Sequence, residues 1–139
     1  MRIGTFLALY SNDSLRKRIV MHELSIAQNI VEIIQQSIPE PEWKQVAAVR
    51  VKIGAVAGIV PDSLKFSFQA ITAESALCNA RLVTEHIPFR VHCRTCNTTT
   101  ENQDGFAMCG ECESTDIKVL SGTELHVVEI ELEETGRVI

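Results

Sequence analysis

The chain has 139 residues, the length of one domain or of one domain with a small metal-binding unit attached. Its 13 Lys and Arg against 18 Asp and Glu give a formal net charge of −5, which argues against a general nucleic-acid binder. A hydrophobic content of 45% excludes a disordered chain, and no uncharged apolar run is long enough to span a membrane. We therefore expect a globular protein that binds neither nucleic acid nor membrane.

The first twenty residues differ in character from the rest. Residues 1–20 hold a short apolar run followed by the basic cluster Arg16-Lys17-Arg18. A secretory signal would have a longer apolar run and a small-x-small cleavage site, and neither is present. A helical or disordered arm is one interpretation. The interpretation we prefer is that the natural chain begins at Met21 and that residues 1–20 are an N-terminal extension produced by the choice of start site.

Hydrophobic periodicity predicts the secondary structure of the remaining chain. In chain order we expect a helix at 21–38, a strand at 46–56, a helix at 61–76, a strand at 81–87, a short strand at 118–120 and a strand at 123–133. Pro39 and Pro41 end the first helix, and Pro61 begins the second. In the last strand, one face is expected to carry His126, Val128, Ile130 and Leu132.

These elements predict an α+β fold, with two helices packed on a small three-stranded sheet. The segment between the last two long strands is polar, turn-rich and rich in cysteine, so it is predicted to be a separate module inserted into that fold. We expect residues 21–90 and 118–135 to form one domain, and residues 91–117 to form the inserted zinc-binding module.

Four of the five cysteines predict a metal site. Cys93 and Cys96 form one C-x-x-C pair, and Cys109 and Cys112 form a second, with 12 residues between the pairs. Two such knuckles can aim four thiolates at one point, a tetrahedral set that suits structural Zn²⁺ and leaves no position for a catalytic water. Thiolates held in this way are typical of a reducing compartment such as the cytoplasm. Disulfides, iron and thiol redox chemistry remain alternatives.

Two further residues near the cysteines leave alternatives open. His92 precedes the first cysteine, so it either rests beside the site, hydrogen-bonding a sulfur, or replaces one cysteine as a ligand. Lone Cys78 is expected to be a buried free thiol, since unpaired cysteine behaves as a small hydrophobic residue, with a fifth metal ligand or a redox sensor as the alternatives. The module itself is acidic, which suits phosphate contact poorly.

The stretch beginning Met21-His22-Glu23 is weak evidence for a metal site when taken alone, because an acid in a first helical turn is favoured by the helix dipole. Together with three other segments of the chain, this stretch is stronger evidence. With MHELSIAQNIVEII, VRVKIGAVAGIVPDSLKFSFQAIT, the cysteine pairs and ELHVVEIELEE in that order, residues 21–134 closely resemble the HypA/HybF family of hydrogenase maturation proteins, which are nickel metallochaperones.

The resemblance implies a nickel site at the start of the family sequence. His22 matches the indispensable ligand, Glu23 contributes its backbone nitrogen, and Met21 supplies the terminal amine. The family's zinc ligands match the four paired cysteines, and its acidic side chain near the second helix matches Asp62 only loosely. The implied function is delivery of Ni²⁺ to the hydrogenase large subunit precursor, and in some organisms to urease, with the GTPase HypB as a partner and no reaction catalysed.

The extension is where this sequence departs from the family. With residues 1–20 attached, Met21 has an internal amide in place of a free amine, and an internal amide is a poorer ligand.

The sequence also leaves two alternative classes of function. A zinc-ribbon interaction module in transcription or RNA processing would favour a basic ribbon, and a metal-dependent hydrolase using His22 and Glu23 would need further ligands in a recognisable motif. Either a monomer or a homodimer is compatible with the sequence.

Overall fold

The structure is a computed structural model that describes residues 2–3 and 23–133. Within these residues the helices are α1, Glu23–Ser37, and α2, Pro61–Thr72, with a 3-10 helix at Glu40–Gln45. The strands are β1, Arg2–Ile3; β2, Val46–Gly54; β3, Arg81–Ile87; β4, Phe89–Cys93; β5, Thr99–Asn102; β6, Ile117–Ser121; and β7, Leu125–Leu132. The predicted α+β class is confirmed.

The larger sheet has the strand order β1-β7-β2-β3. β2 and β3 are parallel and α2 connects them, while β7 lies antiparallel on the other side of β2. Both helices pack on one face of this sheet, and the core lies between the two layers. Its fully buried members include Ile26, Ile30, Ile34, Val49, Val51, Leu64, Phe68, Leu125, Val127 and Ile130.

The predicted three-stranded sheet gains a fourth, two-residue strand at its edge. Arg2 pairs with Glu131 and Ile3 pairs with Ile130 in an antiparallel register. These two residues belong to the N-terminal extension, so part of the extension meets the folded domain. No helix in the described ranges is both long and apolar enough to cross a membrane.

The second helix is shorter than predicted, because polar side chains end it at Thr72. The Thr72 hydroxyl donates to the Phe68 carbonyl across 2.8 Å, and the Ser75 hydroxyl donates to the Thr72 carbonyl across 2.9 Å. Side chains that bond to the backbone in this way compete with continued helix. The following turn buries Leu77 and leaves Cys78 exposed, so the prediction of a buried Cys78 thiol is wrong.

A β-bulge in β7 overturns the predicted face of that strand. Arg50 pairs with Glu129 and Val51 pairs with Val127, so Val128 is an extra residue without a counterpart on β2. The bulge reverses the alternation of side chains. The core face is therefore built from Leu125 and Val127 before the bulge and Ile130 and Leu132 after it. The prediction that His126 and Val128 share the face of Ile130 is wrong.

A second sheet, of order β5-β4-β6, contains the cysteine pairs between and beside its strands. Both neighbours of β4 are antiparallel to it. β4 buries Phe89, Val91 and Cys93 at alternate positions, a strand pattern that the cysteine motif and the polar sequence after it obscured. This sheet spans residues 89–121.

Candidate metal centre

The two knuckles bring all four paired cysteines together. One ligand atom from each of Cys93, Cys96, Cys109 and Cys112 lies within 4.8 Å of every other. The Sγ atoms of Cys93 and Cys112 are 3.6 Å apart, and those of Cys96 and Cys109 are also 3.6 Å apart. A tetrahedral zinc with Zn–S bonds of about 2.3 Å requires sulfur separations of about 3.8 Å. The donor set and its spacing therefore fit Zn²⁺.

Backbone amides favour the thiolate form of the two buried cysteines. The Cys96 amide donates to the Cys93 sulfur across 3.4 Å, and the Glu111 amide donates to the Cys109 sulfur across 3.3 Å. Against an opposing effect of burial, hydrogen bonds from the Cys96 amide, then the Thr95 amide, lower the pKa of Cys93 to about 6. Amides of the second knuckle lower the pKa of Cys109 in the same way. Metal ligands must be deprotonated, so these amides prepare the pair for zinc.

The pKa of Cys112 is shifted in the opposite direction. The Ser114 amide lowers its pKa, but interactions with the Cys93 thiol, burial, and interactions with the other two thiols outweigh that effect and raise the pKa to about 12. In the metal-free cluster Cys112 therefore keeps its proton to a higher pH than Cys93 does. Zinc must displace that proton when it binds.

His92 braces the first knuckle. Its Nε2 lies 3.0 Å from the Asn97 side-chain oxygen, and its Nδ1 lies 3.1 Å from the Thr99 hydroxyl. Because the amide oxygen can only accept, Nε2 is assigned as the protonated nitrogen, and Nδ1 then accepts from the hydroxyl. Asn97 has a left-handed φ of 59°, which is unfavourable for a residue other than glycine, so the hydrogen bond from the imidazole stabilises this turn. The ring thus faces these two side chains and is not part of the four-sulfur cluster.

Other polar contacts tie the two knuckles to each other. The hydroxyls of Thr95 and Ser114 lie 2.9 Å apart, joining the first knuckle to the residues just after the second. The Gly110 amide donates to the Thr100 hydroxyl across 3.1 Å, which anchors the second knuckle to β5. The sulfur geometry is therefore supported by hydrogen bonds outside the ligand set.

The cations of the module are largely paired. Arg94 contacts Asp116 at 3.0 Å and Arg90 contacts Glu101 at 3.4 Å, and these are two of the three basic residues between positions 90 and 118. Phosphate binding depends on cations that can release counterions from a nucleic acid. The surface of the module is therefore poorly suited to that role.

Close backbone packing joins the module to the larger sheet. The Ala55 amide, just after β2, donates to the Ile87 carbonyl across 2.8 Å, which fixes the point where the chain leaves β3 for the module. Gly54 lies so close to the Gly122 backbone that a Cβ on it would overlap the Gly122 carbonyl group, and Gly105 lies as closely against the Val56 side chain. The sequence does not predict the contact between Gly54 and Gly122, because Gly54 in its local sequence indicates only that the strand gives way to a turn.

Topology places this junction at the same end of the fold as the start of α1. Because α2 connects two parallel strands, it runs opposite to them and begins near their carboxyl ends. The short link from α1 through the 3-10 helix to β2 gives α1 the same direction. Glu23 and Asp62, each in a first helical turn, therefore lie toward the end where the cysteine module is attached. The predicted ligands Met21 and His22 lie outside the described residues.

The fold and the cysteine cluster define a small α+β metal-binding protein carrying a zinc-ribbon unit. A family sequence model described as "Hydrogenase/urease nickel incorporation, metallochaperone, hypA" matches residues 21–132. The chain belongs to this HypA family.

Curated relatives and solved structures agree with that assignment. The chain is 40% identical over 113 residues to the hydrogenase maturation factor HypA of Geobacter metallireducens, with 81% of this chain and 100% of the relative covered. It is 42% identical to the HypA of Chloroflexus aggregans, covering 80% of this chain and 98% of the relative. The solution structure of the Ni metallochaperone HypA from Helicobacter pylori has the same fold, with a TM-score of 0.55, 20% identity and coverage of 81% and 98%.

Proposed function

We propose that this chain binds Ni²⁺ at the sequence Met21-His22-Glu23 and delivers it for the maturation of [NiFe] hydrogenase. The observation that carries the proposal is the match to the nickel-incorporation family, which covers residues 21–132 and so starts at Met21 of this chain. The His22 imidazole, the Glu23 backbone nitrogen and the Met21 nitrogen form a nitrogen-rich set, and Ni²⁺ accepts such a set in planar geometry.

The position of Glu23 suits a site that must release its metal. Glu23 begins α1 and is only partly buried. A helix start carries partial positive charge, which disfavours a bound cation unless its ligands compensate. A site at this position holds nickel through a few ligands next to solvent, so a receiving protein can compete for them.

The second metal in the proposal is a resident Zn²⁺ held by Cys93, Cys96, Cys109 and Cys112. Zinc there supplies folding free energy, since the knuckle segments bury little apolar surface of their own. We assign residues 21–90 and 118–135 to the nickel-binding domain and 91–117 to the zinc module. The sheet around the cysteines, residues 89–121, supports a slightly wider module.

The partners in the proposal are the GTPase HypB and the hydrogenase large subunit precursor, in the cytoplasm, with urease as a second recipient in organisms that make it. The chain acts as a carrier and catalyses no reaction. The relatives' designation as hydrogenase maturation factors supports this role. The zinc-ribbon module for transcription or RNA processing is disfavoured by the paired arginines of the ribbon.

Nickel titration by calorimetry tests the proposal on two forms of the protein, one beginning at Met1 and one beginning at Met21. We expect the shorter form to bind one Ni²⁺ and His22→Ala to abolish this binding while zinc content stays unchanged. Glu23→Ala is the matched control, because it removes a neighbouring side chain but keeps the backbone nitrogen that the proposal uses. Stoichiometric nickel binding by His22→Ala would overturn the site.

The extension is tested separately by the intact mass of the protein made from its native gene. A mass that begins at Met21 supports the proposed start, and a mass that includes residues 1–20 contradicts it. The titration then shows what the extension does, since we expect the longer form to bind nickel more weakly for want of the Met21 amine.

A further inference from the structure

Within the part of the chain that the structure describes, β3 is an edge strand, and only one of its two sides is paired. Among the described residues it pairs only with β2, in an unbroken parallel register from Arg81 to Ile87. The Ile87 carbonyl accepts a hydrogen bond from the Ala55 amide on the β2 side. Alternate residues of a strand direct their backbone groups to opposite sides, so Leu82, Thr84 and His86 direct theirs away from β2. An open edge of this kind is a template for another strand.

The side chains beside this edge follow a self-complementary order. Leu82 and Thr84 pair with the core-facing Val49 and Val51, so Arg81, Val83 and Glu85 lie on the opposite, helix-free face. Arg81 and Glu85 are exposed and Val83 is partly buried. Along this face the order is cation, apolar residue, anion. In an antiparallel copy of the same strand the order is reversed, so each charge lies opposite a charge of the other sign. Charges usually protect an edge strand from pairing, but this arrangement permits one antiparallel pairing with itself.

We propose that a second copy of this chain pairs antiparallel with β3, with the two-fold axis at Val83. Val83 then lies opposite Val83 of the partner subunit, and Arg81 lies opposite Glu85 of the partner subunit. The outward backbone groups of Leu82 meet those of Thr84 of the partner subunit, as an antiparallel ladder requires. The two sheets become one continuous sheet across the axis.

Charge and backbone phase together select this register. With the axis one residue earlier, Val83 lies opposite Arg81 of the partner subunit, and with the axis one residue later it lies opposite Glu85 of the partner subunit. Both alternatives place a charge against an apolar side chain and break the two direct ion pairs. Opposite charges across a ladder stabilise it and like charges destabilise it, so the Val83 axis is preferred.

Charge exchange tests the interface in the zinc-loaded full chain, by sedimentation equilibrium over a wide range of protein concentration. Arg81→Glu and Glu85→Arg each create two like-charge pairs, and we expect each to raise the dimer dissociation constant by about tenfold or more. The double variant Arg81→Glu/Glu85→Arg restores opposite charges and is expected to restore the dimer. A protein that is monomeric throughout, or a dimer that ignores all three variants, would overturn the proposal.

A disulfide trap tests the register. In a Cys78→Ser background with zinc bound, Val83→Cys is oxidised with oxidised glutathione. Residues opposite each other at a non-hydrogen-bonded position have Cα atoms about 4.5 Å apart, which suits a disulfide. We expect a covalent dimer from Val83→Cys and none from the control Thr84→Cys. The reverse result would place the axis at Thr84 and overturn the register. Neither result depends on nickel binding.

Discussion

The Val56 amide donates a hydrogen bond to the Gly122 carbonyl across 2.8 Å, joining the chain after β2 to the chain after β6. The Gly122 carbonyl belongs to a turn that has a left-handed φ of 111° and packs against Phe89. The cysteine module is thereby held against the end of β2 by main-chain atoms. Substitutions at this point act on both units at once.

Gly122→Ala should lower the free energy of unfolding by about 2–4 kcal/mol, because it combines an unfavourable backbone conformation with overpacking. A Cβ at Gly122 would lie 2.5 Å from the Phe89 Cα, and that atom belongs to a strand that cannot move aside cheaply. Thermal or urea unfolding of the zinc-loaded protein measures the effect.

The control for that prediction is Gly58→Ala. Gly58 has a φ of 77°, but a Cβ added there would have no atom within 4 Å, so only the backbone conformation opposes the substitution, at about 1–2 kcal/mol. Equal losses of stability in the two variants would show that the junction is not tightly packed.

Zinc affinity should rise with pH. Binding must remove the proton of Cys112, whose pKa is raised to about 12, so protons compete with zinc throughout the neutral range. The pKa of Cys93 is lowered to about 6, so its proton adds to the competition only below that pH, where affinity should fall more steeply. Competition with a chelator at several pH values measures this dependence, and an affinity that does not change with pH would contradict it.

The lowered pKa of Cys93 also makes the stability of the metal-free protein depend on pH. The pKa of Cys93 is lower in the folded chain than its ordinary value of 9.0, so its thiolate stabilises the fold most above that value. This contribution is lost as the pH falls from 9.0 toward about 6. The unfolding transition of chelator-treated protein should therefore move to lower urea concentration over that range.

His92→Phe should lower zinc affinity by about tenfold, because outer partners of a metal site position its ligands. The ring shape is kept, but both hydrogen bonds of the imidazole are lost. Asn97→Gly removes one of those partners while tolerating the left-handed backbone.

A double-mutant cycle separates the bracing role of His92 from general damage. If the imidazole acts partly through Asn97, the effects of His92→Phe and Asn97→Gly on zinc affinity should be less than additive. Full additivity would mean that the hydrogen bond between these two side chains does not support the site.

Cys78 should be the one fast-reacting thiol of the zinc-loaded protein. Its side chain is exposed, whereas Cys93 and Cys109 are buried, and all four clustered thiols are occupied when zinc is bound. Brief maleimide treatment followed by intact-mass measurement should show one label, and Cys78→Ser should show none. Two or more labels on the wild-type protein would indicate an incomplete zinc site.

Local patterns in the sequence predicted most of the fold. Buried residues of α1 recur with the helical period, and β3 was predicted with its observed ends because alternation and Pro88 bound it. The cysteine spacing predicted the four-sulfur cluster, since a knuckle is a local structure that its own few residues determine.

Features that depend on neighbouring strands were not predictable in this way. The bulge at Val128 exists only relative to β2, so the sequence of β7 alone suggested uninterrupted alternation. β5, with the sequence Thr99-Thr100-Glu101-Asn102, buries little and is a strand because β4 lies beside it. The packing of Gly54 on Gly122 joins positions far apart in the chain, and no periodicity reports such a contact.

The placement of the cysteine module between β3 and β7 has a consequence for how the larger sheet assembles. Residues 88–124 separate two strands that flank β2, and closing a flexible loop of that length costs about 3 kcal/mol of chain entropy. A folded module draws the two ends together, with the Ser121 hydroxyl bonded to the Pro88 carbonyl at 2.7 Å. Metal at the cysteines therefore raises the effective local concentration of the final strand, so the ion contributes to a pairing in which none of its ligands takes part.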